Sequence, residues 1–204
     1  MTDFELRSAA RELPGSPPAG VFQRLLAQAE QEGLVDVAYT VDDSPLGRLL
    51  IAATPAGLVQ ISYSGEQPER PLAELARRVS PRVLELPRRL DDVRRQLDEY
   101  FAGRRRRFEL ALDWSLARGF GRAVLEATSA IPYGRVRSYG EVAAWAGSPR
   151  AVRAAGNALG ANPIPIVVPC HRVVRSGGAL GGYTGGLEKK RFLLGLERGE
   201  ARLL

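Results

Sequence analysis

Ser138-Tyr139-Gly140-Glu141-Val142-Ala143-Ala144-Trp145-Ala146-Gly147-Ser148-Pro149-Arg150-Ala151-Val152-Arg153-Ala154-Ala155-Gly156-Asn157-Ala158-Leu159 reads as two short helices joined by a tight turn. Ser138 and Glu141 stand at capping-box spacing, the serine placed to accept from a backbone N–H and the glutamate to reach back. Gly147 breaks the run, and Ser148 followed by Pro149 predicts a second helix start, with the helix continuing to about Leu159. Helix, glycine-containing turn and helix make a helix-turn-helix pattern. The second helix is nearly bare, with Ala151, Ala154, Ala155, Gly156 and Ala158, while Arg150, Arg153 and Asn157 recur at three- and four-residue spacing. A smooth cationic helix of this kind approaches a DNA groove closely, and its alanines equally suit packing against a neighbour.

Outward from this unit, Gly119 to Ala130 predicts a helix closed by the turn Ile131-Pro132-Tyr133-Gly134, and Leu187 to Glu197 predicts the last helix. Ser176-Gly177-Gly178 predicts a hairpin over Val173 to Gly182. Before Leu116 the pattern differs. Leu34 to Val41, Arg48 to Thr54 and Leu58 to Tyr63 are β-rich and separated by good turn sequences, which predicts an antiparallel meander. Helices at about Pro71 to Val79 and Pro87 to Ala102 would pack on one face of that sheet, and Phe108 to Asp113 predicts a connecting strand. The fold class is therefore α+β: an N-terminal antiparallel β-meander with helices, then a helical domain with a winged-helix-like DNA-binding unit. Residues 1–33 form an extension with a linker at 13–20 and one helix from Val21 to about Glu32. Residues 34–113 form the α/β scaffold, and 114–204 the part that carries chemistry.

Composition bounds the function. The formal charge is +6 and arginine far outnumbers lysine, with a pI of about 10.0. Arginine pairs bidentately with phosphate and stacks on bases, so nucleic acid is a natural partner, although a GC-rich genome also writes arginine for lysine. One cysteine and one histidine in 204 residues exclude an internal disulfide and a zinc site of the Cys/His kind. The first residues lack an apolar signal core and no run is long enough to span a membrane, which predicts a cytoplasmic protein with no membrane partner. Gly103-Arg104-Arg105-Arg106-Arg107 is the densest charge run; at a helix end it reads as a solvated linker.

The single cysteine and the single histidine are adjacent, in Asn162-Pro163-Ile164-Pro165-Ile166-Val167-Val168-Pro169-Cys170-His171-Arg172-Val173-Val174. Three prolines in this stretch forbid a regular helix and stiffen the backbone. A positioned nucleophile and a buried, inert core thiol are both compatible with such a segment.

Pro169-Cys170-His171-Arg172 within its valine-rich frame resembles the active-site signature of the O6-alkylguanine-DNA alkyltransferases. Asn162-Pro163, Ser138-Tyr139, Arg153, Tyr183-Thr184-Gly185-Gly186-Leu187 and Glu197 fall in that family's order and spacing, and the resemblance extends from about Val37 to Glu197. It implies a single-turnover transfer of an alkyl group from O6 of guanine, and from O4 of thymine, to Cys170 without a cofactor or a metal. His171 would take the thiol proton through a water, and Glu197 would hold the imidazolium. Tyr139 would donate a proton to the departing guanine, and Asn162 would fix the turn beside Cys170. Arg153 would fill the stack vacated by a flipped nucleotide, with further DNA contacts from Arg150, Asn157, Ser138 and Arg172. Tyr183, Thr184, Gly185 and Val173 would line the base pocket. The implied partner is double-stranded DNA containing O6-alkylguanine, bound by a monomer, with cooperative loading left open.

The sequence departs from the family in lacking N-terminal zinc ligands, in its first 33 residues, and in Thr184 where serine is common. The competing expectation is a non-catalytic alkylated-DNA-binding or regulatory module, against which the cysteine argues. A cysteine hydrolase fits poorly, because adjacent Cys and His do not supply the in-line pair of such enzymes.

Overall fold

The computed structural model describes residues 21, 24, 28–63 and 67–200. The linker at 13–20, most of the extension and part of its helix lie outside the described residues; residues 28–31 are helical. The chain forms two compact units. The first comprises the described residues up to Asp43, with Gly47–Arg94 and Ala111–Asp113; the second comprises Ser44–Leu46, Arg95–Leu110 and the chain from Trp114 onward. Contacts thus group Arg95–Leu110 with the second unit.

In the first unit, β1 (Val37–Asp42), β2 (Leu49–Thr54) and β3 (Gly57–Ser62) form the expected antiparallel meander. A fourth strand, β4 (Val83–Glu85), was not anticipated. It pairs parallel to β1, so the sheet is mixed, in the order β3-β2-β1-β4. Helix α1 (Glu69–Arg78) precedes β4 and buries Leu72 and Leu75. A 3-10 turn, Pro87–Leu90, leads into α2 (Asp91–Phe101), so the single helix expected from Pro87 to Ala102 begins as the tighter form. Leu49 through Ala52 are all buried, which covers both faces of β2.

The expected strand at Phe108–Asp113 is reduced to one bridge, Leu58 to Leu112. Upstream of it, the backbone N–H of Glu109 donates to Gln96 Oε1 at 2.8 Å and the Gln96 amide donates to Glu109 O at 3.2 Å. A side chain has taken the groups that a ladder would use. Gly57 is required beside this bridge: its φ is +135°, and a Cβ there would lie 2.3 Å from Ala111 O.

In the second unit, α3 (Gly119–Ser129) packs through Val124, Leu125 and Thr128. Strand β5 (Arg137–Ser138) runs directly into α4 (Tyr139–Trp145). The capping box forms as read: Ser138 Oγ accepts from Glu141 N at 3.2 Å, and Glu141 Oε2 accepts from Ser138 N at 2.7 Å. Helix α5 (Val152–Gly160) starts later than predicted and has no side-chain cap. Ala151 N donates to Ser148 O at 2.9 Å, closing a turn over Pro149 and Arg150, so Arg150 precedes the helix and does not sit on its face.

After α5 the proline-rich segment leads to a 3-10 turn, Cys170–Arg172, and to β6 (Val173–Val174). The Ser176-Gly177-Gly178 turn forms, with Arg175 N donating to Ala179 O at 2.8 Å, yet no returning strand follows. β6 pairs instead with β5, in parallel. The buried Lys190 ammonium donates to Leu180 O and Gly182 O, carbonyls that a hairpin partner would have offered to β6. Helix α6 (Leu187–Arg198) carries Lys190 and ends on Gly199, in the left-handed region at φ +74°. No helix among the described residues is long and apolar enough to cross a membrane.

Candidate active site

The segment between α5 and the 3-10 turn is held by one side chain. Asn162 Nδ2 donates to Val168 O at 2.9 Å and to Cys170 Sγ at 3.1 Å, while Asn162 Oδ1 accepts from Ile164 N at 3.0 Å. Ile166 within this loop has φ +76°, a costly conformation for a β-branched residue. Asn162 bridges across it and fixes where the sulfur sits.

Cys170 is 5% exposed and lies on the wall of an 830 Å³ cavity. Burial pushes its thiol up to about 11, against the pull of the Asn162 bond and the Lys190 charge. His171, next in sequence, is fully buried. Its Nε2 meets Glu197 Oε1 at 2.9 Å. A carboxylate only accepts, so Nε2 carries the hydrogen and Nδ1 is left with the lone pair. Among the described residues Nδ1 has no hydrogen-bond partner. Burial lowers the imidazole pKa and Glu197 partly restores it, which keeps His171 neutral and Nδ1 basic.

Glu197, on α6, is the hub. Its Oε1 accepts from His171, from Tyr100 Oη at 2.8 Å and from Arg172 Nη2 at 2.8 Å; its Oε2 accepts from Gly134 N at 3.0 Å and Arg172 Nε at 3.0 Å. Burial alone would raise this carboxyl, but the hydrogen bonds from His171 and Arg172 and the Arg172 charge outweigh it and bring the pKa to about 2. Arg172 Nη1 also donates to Ile131 O at 2.5 Å. The expectation that Arg172 contacts DNA is therefore corrected. It is 6% exposed and wholly engaged inside the protein, because only a fixed cation balances so deeply placed a carboxylate.

The cavity wall joins most of the other predicted residues: Ser138 and Tyr139 at the start of α4, Arg153 and Asn157 on α5, and Tyr183 and Thr184 from the glycine-rich loop. Tyr139 Oη donates weakly to Gly182 O at 3.5 Å. Its ring packs against Gly156, and a Cβ on Gly181 would lie 2.7 Å from its hydroxyl. Burial raises the phenol pKa, an ionised Cys170 adds to that, and Arg175 opposes it. Thr184 Oγ1 donates to Gly160 O at 2.6 Å, tying the loop to the end of α5. Besides Arg172 and the buried residues already placed, three expected residues lie off this wall. Val173 is fully buried with its carbonyl taken by Lys190 at 2.6 Å, Gly185 does not line the cavity, and Arg150 is exposed in the turn before α5.

Sequence reasoning missed Tyr100, Lys190 and Arg175. Tyr100 closes α2 in a run that looks like an ordinary amphipathic end, and Lys190 follows Lys189 in what reads as a solvated helix face. Arg175 sits beside the Ser176 turn, whose glycines drew the reading toward a hairpin. Among the described residues no group of three or more His, Cys, Asp or Glu is placed to hold a metal.

A buried thiol, an imidazole-carboxylate pair behind it, a phenol on the same cavity wall and a helix-turn-helix beside it define a thiol-nucleophile site on a DNA-binding fold. Comparison with known proteins agrees. Residues 37–114 match the family model of the 6-O-methylguanine DNA methyltransferase ribonuclease-like domain, and residues 119–199 match that of the 6-O-methylguanine DNA methyltransferase DNA-binding domain. A methylated-DNA–protein-cysteine methyltransferase of Mycolicibacterium paratuberculosis is 42% identical over 79% of this chain and 93% of its own length. The constitutive methylated-DNA–protein-cysteine methyltransferase of Bacillus subtilis is 40% identical, over 78% and 94%. Among solved structures, that of Mycobacterium tuberculosis OGT in complex with DNA superposes with a TM-score of 0.68 at 40% identity, covering 80% of this chain and 94% of that one. The chain belongs to the 6-O-methylguanine DNA methyltransferase family.

Proposed function

We propose that this protein repairs DNA by direct reversal, moving the alkyl group of O6-alkylguanine, and of O4-alkylthymine, irreversibly onto Cys170 in a single turnover without a cofactor. It acts as a cytoplasmic monomer on double-stranded DNA that carries the lesion. The observation that supports this most is a sulfur on a cavity wall with His171 and Glu197 behind it and Tyr139 on the same wall. The same reading divides the chain into an extension at 1–33, a scaffold at 34–113 and a DNA-binding and alkyl-transfer domain at 114–204.

A lesion inside a duplex is out of reach of a buried thiol, so the nucleotide is flipped into the cavity at a cost of a few kcal/mol. Arg153, exposed on α5, enters the gap left in the stack, and Ser138, Arg150 and Asn157 contact the DNA around it. Nδ1 of His171 takes the thiol proton through a water, with Glu197 holding the imidazolium that results. The thiolate attacks the alkyl carbon; a C–S bond forms as the C–O6 bond breaks. The electron pair passes into the guanine ring, which Tyr139 protonates so that neutral guanine leaves. The phenolate regains a proton and the imidazolium releases one through solvent, which closes the proton balance. The thioether is stable, so each molecule acts once.

Mixing the protein with excess DNA bearing O6-methylguanine adds one methylene to Cys170, read by intact-protein and peptide mass spectrometry. An unmodified protein under saturating lesion would overturn the proposal and leave the competing reading, a non-catalytic binder of alkylated DNA. Cys170→Ala abolishes transfer and keeps DNA binding, because the sulfur plays no part in gripping the duplex.

A further inference from the structure

The cavity wall carries two arginines and no carboxylate: Arg153 from α5, and Arg175 from the turn after β6. Among the described residues neither guanidinium makes a hydrogen bond or an ion pair. That sets them apart from Arg82 with Asp36, Arg94 with Asp42, Arg105 with Glu99 and Arg172 with Glu197. Two cations left without partners beside a cavity make a site for something anionic brought from outside.

Arg175 has a fixed origin. β5 and β6 run parallel with Ser138 opposite Val174, so the next residues, Tyr139 and Arg175, leave the ladder side by side at the same end. The turn then pins its backbone, with Arg175 N donating to Ala179 O and Gly178 N donating to Arg175 O, both at 2.8 Å. Gly178, at φ +82°, allows that closure. Arg175 is exposed, and Ser176 beside it also lines the cavity. Arg175 lines the cavity together with Tyr139, and its charge opposes the rise in the phenol pKa.

We infer that Arg175, with Ser176, is a phosphate grip: it holds the phosphodiester flanking the extrahelical nucleotide while the base occupies the cavity. This rests on the reading that a flipped alkylated nucleotide is the substrate. A base inside the cavity leaves its sugar and phosphate at the mouth, where Arg175 stands. A guanidinium fork matches phosphate oxygens bidentately and carries its charge at every working pH. Arg153 is committed to the vacated stack, so the two unpaired arginines have separate tasks.

Substrates stripped down in stages separate these tasks. Single-turnover transfer is measured with O6-methylguanine in duplex DNA, in single-stranded DNA, and as the free deoxynucleoside, which has no phosphate. Arg175→Ala slows transfer from duplex and from single strand alike, about tenfold at subsaturating DNA, and leaves the nucleoside rate as in the parent. The slope of log K against log salt for DNA binding falls by about 0.9, one phosphate contact fewer. Arg153→Ala slows transfer from the duplex and leaves the single strand nearly unaffected, since there is no stack to fill. An equal slowing on the nucleoside would overturn the grip and place Arg175 with the chemistry at Tyr139. Unchanged rates on all three substrates would also overturn it. Failure of the parent protein to take a methyl group from any of them would instead defeat the underlying reading.

Discussion

Within the second unit, the surroundings of Glu197 and the wall of the cavity treat arginine in opposite ways. Arg172 is buried and spends its donors on Glu197 and Ile131 O, whereas Arg153 and Arg175 make no ion pair among the described residues and line a cavity without a carboxylate. Sequence gives only a partial hint of this contrast: Arg172 lies in a valine-rich frame, whereas Arg153 and Arg175 stand among alanines, serine and glycines. Under the proposed function, the unpaired arginines of the cavity wall serve the ligand and the paired one serves the protein. The buried network fixes a tautomer and a charge state before any DNA arrives, and the cavity wall is left to be completed by it.

The largest effect should come from breaking the buried end. Arg172→Met keeps most of the side-chain volume but leaves Glu197 charged without its main counter-ion, and should destabilise folding by about 3–5 kcal/mol. Urea unfolding measures this. If Arg172 were a DNA contact after all, stability would move by less than about 0.5 kcal/mol and the salt dependence of binding would fall instead. Acid probes the same pair. The folded pKa of Glu197 lies at about 2, below the ordinary carboxyl value of 4.5, so its contribution is complete above pH 4.5 and drains away as pH falls toward 2. In Arg172→Met that acid-side loss should shrink, because the pKa depression it reflects has lost a main cause.

A smaller effect is expected at Tyr100, whose hydroxyl donates to the same carboxylate oxygen as His171. Its ring packs edge-on to Phe101 and Tyr133, with centroids 5.5 and 6.2 Å away, and Tyr100→Phe preserves those contacts. What is lost is one hydrogen bond to a charged group, about 1.5–3 kcal/mol of folding stability. A variant as stable as the parent would show that Arg172, His171 and Gly134 already saturate Glu197, and that Tyr100 is only packing.

The helix-turn-helix was legible because its signals are local. Ser138 and Glu141 cap α4 as a four-residue pattern requires, and the Pro169-Cys170-His171-Arg172 signature is contiguous. The meander was legible for the same reason: its turns stand between short β-rich runs. What escaped depends on partners distant in sequence. Strand β4 has three residues and exists because β1 offers it a parallel edge. Lys190 is buried because three carbonyls from Val173, Leu180 and Gly182 converge on it. Arg172 and Tyr100 were drawn inward by Glu197, 25 and 97 residues away. A charged side chain reads as solvated until the chain brings its counter-charge to it. The start of α5 failed for another reason: Ser148 and Pro149 suit a tight turn as well as a helix cap, and the turn won.

The most graded effect concerns the thiol itself and asks how far the buried network acts before DNA binds. Cys170 is pushed up to about 11 by burial, while His171 behind it is held neutral. The free protein should then hold its sulfur as the thiol near neutrality. Reaction with a small alkylating reagent such as iodoacetamide should rise about tenfold per pH unit from 7 to 10, each step equal to about 1.4 kcal/mol. On that outcome the resting protein holds a protonated sulfur, which spares it from stray electrophiles, and the proton has to leave Cys170 during transfer. A rate independent of pH across that range would mean that the thiolate is already formed. The ion pair with His171 would then outweigh the burial of the sulfur, and the buried network would act ahead of the lesion.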